Sequence, residues 1–334
     1  MINNLNKIKI KKGTMNYDKL ESTSSSKNAD KIQYNSIGQL ITRARFEKKP
    51  LIVVEGVDDV TVYEIFAQNA KLNASIRAVE TIPGYGEGCE HVKKFIENAQ
   101  EEINNSPINE KFLLGIIDKD ASYYRGVSIS HLKCLLMLDV YSYESHFVTQ
   151  GHVNHILNNI LHSKSGVNTN VINYIMSDLQ TIFNDLYYVS LEALKNACVT
   201  DYHGLLGYSH SYGQIKNTHD LIHDVLDKKP ELDLYATSHK ISFRDFKSVI
   251  KGKWLLESFI ENIYSKISIL SHNCKNNTLA HGQVRCHFCE NKIYDKCSWR
   301  IRRHYPKNSL YNLLLQYIDP TETQYIIDRL KMLG

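Results

Sequence analysis

The feature that most constrains this fold is a repeated one: apolar runs of strand type that end on acids. "LIVVEGVDDV" (51–60) carries Leu51, Ile52, Val53 and Val54 straight into Glu55. "KFLLGIIDKD" (111–120) does the same into Asp118 and Asp120, and "LKCLLMLDVYSYES" (132–145) runs on to Glu144. A fourth apolar run, "SIRAVETIPG" (75–84), stops at Pro83-Gly84. Helical patterns separate these runs. Ile37, Leu40, Ile41 and Ala44 follow an Asn35-Ser36 cap, and Pro50 ends that helix. Val60, Tyr63, Ala67 and Ala70 predict a helix over 59–70, and Val92, Phe95, Ile96, Ala99 and Ile103 predict another. Strands alternating with helices over 50–145 imply a mainly parallel α/β sheet covered on both faces. In such sheets the functional crevice lies at the carboxyl ends of the strands, where these acids fall.

The chain has 334 residues, 43% hydrophobic and 23% charged, which is globular composition with room for more than one domain. The polar, basic segment 1–30 is expected to be a disordered tail, with Met15 as an alternative start. It lacks the apolar core of a secretion signal, and no apolar run approaches the roughly 18 residues that span a bilayer. A cytoplasmic protein that does not engage membranes is expected. The α/β unit is placed at 31–149, and beyond it the spacing turns helical. Val153, Ile156, Leu157, Ile160 and Leu161 share one face, similar patterns recur in 171–189 and 253–269, and a helical domain is placed at 150–270. The remainder, 271–334, holds a Cys/His cluster and two short terminal helices, the last opening at "DPTETQYIIDRL".

Acids at strand ends have two readings: ordinary helix caps, or one edge of a metal site. Asp58 and Asp59 are expected to cap the helix they open. Asp118 and Asp120 would share a face if the strand ran through them. Carboxylates held together repel one another unless a divalent cation neutralises them, and an all-oxygen set suits Mg²⁺ or Mn²⁺. "PGYGEG" (83–88) fits no phosphate-binding loop, because no Gly-Lys-Ser/Thr follows it, and is read as a tight turn.

"VVEGVDDV" together with "GIIDKD" resembles the Toprim domain, whose hallmark is a glutamate after the first strand and Asp-x-Asp after the third. Topoisomerases, primases and OLD-like nucleases share it, and the "YSYES" segment brings the sequence nearest to Toprim effectors of bacterial anti-phage defence, those of PARIS systems. The resemblance covers 50–150 well and 240–260 loosely. It implies a Rossmann-like Toprim fold and a metal-dependent endonuclease. The effector would cleave transfer RNA and be held inactive on an ABC-type ATPase sensor subunit (AriA-like) until infection releases it. On this resemblance Glu55 would be general base or metal ligand, and Asp59, Asp118 and Asp120 would bind Mg²⁺ or Mn²⁺. Glu144 matches the later acid of the family. Lys253, in "VIKGKWLLESF", resembles a downstream Gly-Lys element that stabilises a charged transition state; a solvated lysine at a helix start reads the same. The carboxylates serve RNA and DNA cleavage alike, so the preference for RNA comes from the resemblance alone. A non-catalytic regulatory subunit of an ATPase complex is the competing reading. A homodimer is compatible with the sequence, which locates no interface.

Seven cysteines are present, and four cluster as Cys274, Cys286, Cys289 and Cys297. Cys286-His-Phe-Cys289 is a C-x2-C knuckle that turns two thiolates toward one ion. Cys274 and Cys297 would complete a structural zinc site, with His272 or His281 as substitutes. Cys89, Cys134 and Cys198 are expected to be buried small residues. Net charge is only +4, but Arg300, Arg302 and Arg303 concentrate beside the knuckle, among Trp299 and Tyr305. That stretch suits phosphates and stacked bases, an acidic partner surface, or plain solvation.

Overall fold

The computed structural model describes residues 36–126, 128–163, 167–218, 220–279, 283–302 and 305–334. The expected tail, 1–30, lies outside them.

The first half of the chain builds the sheet. Helix α1 (Ile37–Phe46) starts where Ser36 Oγ accepts the Gln39 N–H. Pro50 then releases the chain into β1 (Leu51–Val54), whose four residues are all buried. Helix α2 (Val57–Asn69), β2 (Ser75–Ala78), α3 (Cys89–Asn105) and β3 (Leu113–Ile117) follow. A one-turn helix, α4 (Ala121–Tyr124), and β4 (Leu135–Met137) complete the unit. The strands lie in the order β2-β1-β3-β4, and all pairs are parallel. The fold is therefore α/β around a four-stranded parallel sheet, and mostly helical. Full burial on both faces explains why β1 and β3 read as continuous apolar runs rather than alternating ones.

Helix α3 buries Val92, Phe95, Ile96, Ala99 and Ile103, the expected face. It lies close on β3 because Gly115 has no side chain; a Cβ there would sit 2.7 Å from Ile96 Cγ1. Gly88, at φ +97°, makes the turn into α3 and donates its N–H to the Glu55 carbonyl at 3.1 Å. That bond draws the start of α3 to the end of β1.

Two boundaries differ from the sequence reading. Helix α2 begins two residues earlier than expected, because Asp59 caps it by accepting the Gly56 N–H at 3.0 Å. The fourth strand stops at Met137, so Glu144 is not at a strand end; it lies on a 3-10 turn, Tyr143–Phe147. The reason is a change of partner. The Tyr141 N–H donates to the Lys247 carbonyl at 2.8 Å, and its ring packs on Tyr208 at 5.0 Å, so the backbone leaves the sheet for the helices.

The helical part runs through α5 (Gln150–Ile160), α6 (Thr169–Met176), α7 (Leu179–Cys198), α8 (Tyr212–Asn217), α9 (Leu221–Asp227) and α10 (Lys229–Ser238). Long helix α11 (Gly252–Asn276), short α12 (His287–Glu290), α13 (Leu310–Leu314) and α14 (Pro320–Lys331) follow. The apolar face predicted on α5 is wholly buried. One hydrophobic cluster reaches from Ile52 of the sheet through Phe259 of α11 to Leu333 near the end, and Asn35–Gly334 form a single compact unit. Among the described residues no helix is long and apolar enough to cross a membrane.

Candidate functional site

Two constellations stand out, one of carboxylates and one of thiols. The first is a cleft of about 270 Å³ at the carboxyl end of the sheet. Glu55 reaches it from the end of β1, Asp58 and Asp59 from the first turn of α2, and Asp118 from the end of β3. Glu144 enters from the 3-10 turn, and Lys251 and Lys253 from the start of α11. Segments nearly two hundred residues apart in sequence thus supply its walls. Glu55 Oε1 accepts the Asp118 N–H at 2.7 Å, which ties the tips of adjacent parallel strands together.

Asp120 goes elsewhere. Strand β3 ends at Ile117, so Asp118 and Asp120 do not continue one pleated face. Asp120 caps α4 by accepting the Ser122 N–H at 2.8 Å, and it accepts a hydrogen bond from the Cys89 thiol at 3.4 Å. Behind it the buried Lys93 ammonium donates to Ser122 Oγ at 3.0 Å and to Glu90 at 2.9 Å. Lys93 escaped sequence reading, although its register with Cys89 and Ile96 puts it on the buried face of α3.

The acids feel one another strongly. Burial raises the Glu55 pKa to about 7, with Asp120 and Asp59 adding to the rise and the Asp118 N–H and Lys93 opposing it. Burial also raises Asp59 to about 6, helped by Glu144 and opposed by the Gly56 N–H and Lys253. Asp118 is pushed well above the carboxylate range by burial, then by Glu55, Glu144, Asp59 and Asp120. Such concentration of anionic oxygen in a half-enclosed cleft is the donor chemistry of a hard divalent cation. The carboxylates nevertheless stand apart: among the described residues, no three of them bring their oxygens to within 4.8 Å of one another.

Glu144 is buried, at 5% exposure, and accepts the Ser142 hydroxyl proton. Ser142, unremarked in the sequence, is a wall of the cleft as well. Gly252 allows α11 to approach this pair. A Cβ at Gly252 would collide with Ser142 Oγ and lie 2.9 Å from Glu144 Oε2. "KGK" therefore reads as two rim lysines around a required close approach. Lys251 is half-buried and donates to the Tyr208 carbonyl at 2.6 Å, while Lys253 is exposed at the rim.

The second constellation is the thiol cluster. Cys274 lies in the last turn of α11, Cys286 and Cys289 bracket the opening turn of α12, and Cys297 follows the 3-10 turn Tyr294–Lys296. Their sulfurs all lie within 4.8 Å of one another, a group that could hold a metal ion such as zinc. Backbone donors aim at the sulfurs: the Cys286 N–H at Cys274 Sγ (3.3 Å) and the Ser298 N–H at Cys286 Sγ (3.4 Å). Burial works against the Cys286 thiolate, but the N–H groups of Ser298 and Cys289 prevail and bring its pKa down to about 6. His272 faces Asn276 at 2.8 Å outside this set, and His281 lies outside the described residues. Of the other cysteines, Cys89 and Cys134 are buried and Cys198 is half-buried.

The basic stretch is partly spent on the fold. Arg300 donates to the Asp295 carbonyl at 3.1 Å, and Arg302 Nε to the Leu161 carbonyl at 2.9 Å. Ile301 forms an antiparallel bridge with Leu161, so this segment fastens the Cys element to the end of α5. Trp299 is 3% exposed, which corrects the expectation that it offers a face for base stacking. Arg303 lies outside the described residues. No family model matches the chain, and no curated protein matches it in sequence.

Proposed function

We propose that the chain is a metal-dependent phosphodiester hydrolase of Toprim type, an endonuclease acting on RNA, with transfer RNA as its substrate class. One observation carries the reading: Glu55, Asp59, Asp118 and Glu144 converge from three separate segments on one cleft with Lys253 at its rim. Glu55, Asp59 and Asp118 would hold a Mg²⁺ or Mn²⁺ ion. Such an ion, when bound, lowers the pKa of water and offsets negative charge on a phosphoryl oxygen. Glu55, its Oε1 fixed on the Asp118 N–H, would serve either as a ligand of that ion or as the base that takes a proton from the attacking water. Lys253 would meet the negative charge of the phosphodiester from the rim. The thiol cluster would carry structural zinc, with the described arginines beside it contributing any contact to the nucleic-acid backbone. An ABC-type ATPase would serve as the sensor that restrains the nuclease, as the Toprim resemblance implies.

A second reading, a non-catalytic regulatory subunit of an ATPase complex, is favoured by the engagement of Asp120 with Ser122 and Cys89 rather than with the cleft. The test is cleavage of total transfer RNA and of plasmid DNA, with Mg²⁺, Mn²⁺ or EDTA, wild type beside Glu55→Ala. Discrete metal-dependent RNA fragments from wild type alone support the nuclease. Cleavage of the plasmid alone would reassign the substrate to DNA. No cleavage of either, with an ATPase partner and its trigger present, would favour the regulatory subunit.

A further inference from the structure

The acid that the sequence reading misplaced, Glu144, sits on a short turn with no strand to hold it. Its support comes from the far end of the chain. His146, two residues on, is 1% exposed and packs its ring on Phe66 of α2 at 6.4 Å. Its two ring nitrogens face the Tyr143 carbonyl and the Tyr325 hydroxyl, and neither faces a carboxylate. Its Nδ1 lies 2.9 Å from that carbonyl, which can only accept, so Nδ1 carries the hydrogen and Nε2 is an acceptor. The Tyr325 hydroxyl of α14, 3.0 Å from Nε2, therefore donates to it, and itself accepts the Asp139 N–H at 3.1 Å. The result is a directed chain: Asp139 N–H to Tyr325, Tyr325 to His146, His146 to the carbonyl of the residue before Glu144.

Two more residues on α14's side of the fold act on the same region, at spacings of three. Asp319, the cap of α14, accepts the Thr149 hydroxyl proton at 2.7 Å, just past the end of the turn. Glu322 pairs with Lys247 at 2.8 Å, and the Lys247 carbonyl holds the Tyr141 N–H just before the turn begins. Asp319, Glu322 and Tyr325 thus grip the Glu144 turn after, before and within it. Glu322 and Tyr325, three apart, share a face of α14, and Asp319 caps its start.

We propose that α14 is the positioning element for Glu144, with Tyr325 as the positioning residue that acts through His146 to hold the carboxylate at the cation site. The proposal rests on the reading of the cleft as a divalent-cation site. It gives α14 a role in cation affinity, and not merely in packing.

Mn²⁺ titration of the full chain, followed by the paramagnetic signal of the free ion, tests it. Tyr325→Phe keeps the ring and removes only the hydroxyl. It should weaken Mn²⁺ binding by about 10-fold, the low end of what lost outer partners of metal ligands cost. Bound zinc should stay at the wild-type level, and the thermal midpoint should drop by only a few degrees, the cost of the unpaired His146 Nε2 and Asp139 N–H. The discriminating arm is a double-mutant cycle with Glu144→Gln. If Tyr325 acts through Glu144, Tyr325→Phe has less than about a 2-fold effect once Glu144 is already Gln. Unchanged affinity in Tyr325→Phe would overturn the proposal, as would an equal loss in both backgrounds, which marks general loosening. Wild type that binds no Mn²⁺ would instead overturn the cleft reading, and this proposal with it.

Discussion

The two candidate metal centres are built on opposite plans. The thiol set comes from a single stretch, 274–297, with its sulfurs already within 4.8 Å of one another and backbone N–H groups aimed at them. The carboxylate set is assembled from three distant segments, is flanked by Lys251 and Lys253, and among the described residues brings no three of its carboxylates within 4.8 Å of one another. A closed tetrahedral set of soft ligands leaves no position for substrate and contributes to folding. An open set of hard ligands held against mutual repulsion costs stability and is the type found at reactive sites. The difference teaches where to look for each effect: substitutions in the thiol set should be read in stability, those in the cleft in activity and cation affinity.

The largest effect on stability is expected from Cys297→Ser. Removing one of four thiolates should abolish stoichiometric zinc and destabilise the fold by about 3 kcal/mol or more, since binding energy of such sites is folding energy. Elemental analysis and chemical denaturation measure both. An unchanged denaturation midpoint would break the contrast, because the thiols would then be four unligated side chains.

Gly252→Ala should damage the cleft more than the fold. The new Cβ meets Ser142 Oγ and Glu144 Oε2, so α11 or the turn must shift. Overpacking of this kind costs about 1–3 kcal/mol. Cleavage should fall on the order of 100-fold, the scale of a misplacement by about 1 Å. Proportional losses of stability and activity would show that the close approach serves packing alone.

A smaller effect is expected with pH. Glu55 and Asp59 have folded-state pKa values raised to about 7 and about 6 from 4.5 and 3.8, so the folded protein binds more protons than the unfolded chain between those limits. These two acids therefore contribute a loss of stability as pH rises from about 4 to about 7 without divalent ions, while buried His146 and His152, brought down to about 4, contribute a gain over the same window. The share of the cleft is isolated by difference. Glu55→Gln should gain stability on wild type as pH rises through this window, by a few kcal/mol at most, and Mn²⁺ should narrow the gap at the alkaline end. A difference between the two proteins that does not change with pH would contradict the crowding of these carboxylates.

Much of the sheet was legible because its signals are local. β1 with Glu55 and β3 with Asp118 are contiguous runs, and α3 and α5 announce their buried faces by spacing. The same holds for the cysteines, whose knuckle spacing is itself the geometry. What escaped was set by contacts across the chain. Glu144 reads as a strand end until Tyr141 is seen to pair with Lys247, a hundred residues later. Trp299 reads as a stacking surface until the core closes over it. The glycine between Lys251 and Lys253 matters only because Ser142 and Glu144 lie beneath it, and no period in the sequence encodes that meeting.

The most direct measurement is a count of ions by chemistry: elemental analysis of the purified chain, then Mn²⁺ titration of wild type, Asp118→Asn and Cys297→Ser. The account predicts one tightly held zinc in wild type and in Asp118→Asn, and an exchangeable Mn²⁺ site lost in Asp118→Asn alone. Mn²⁺ binding that is absent from wild type, or indifferent to Asp118, would contradict it.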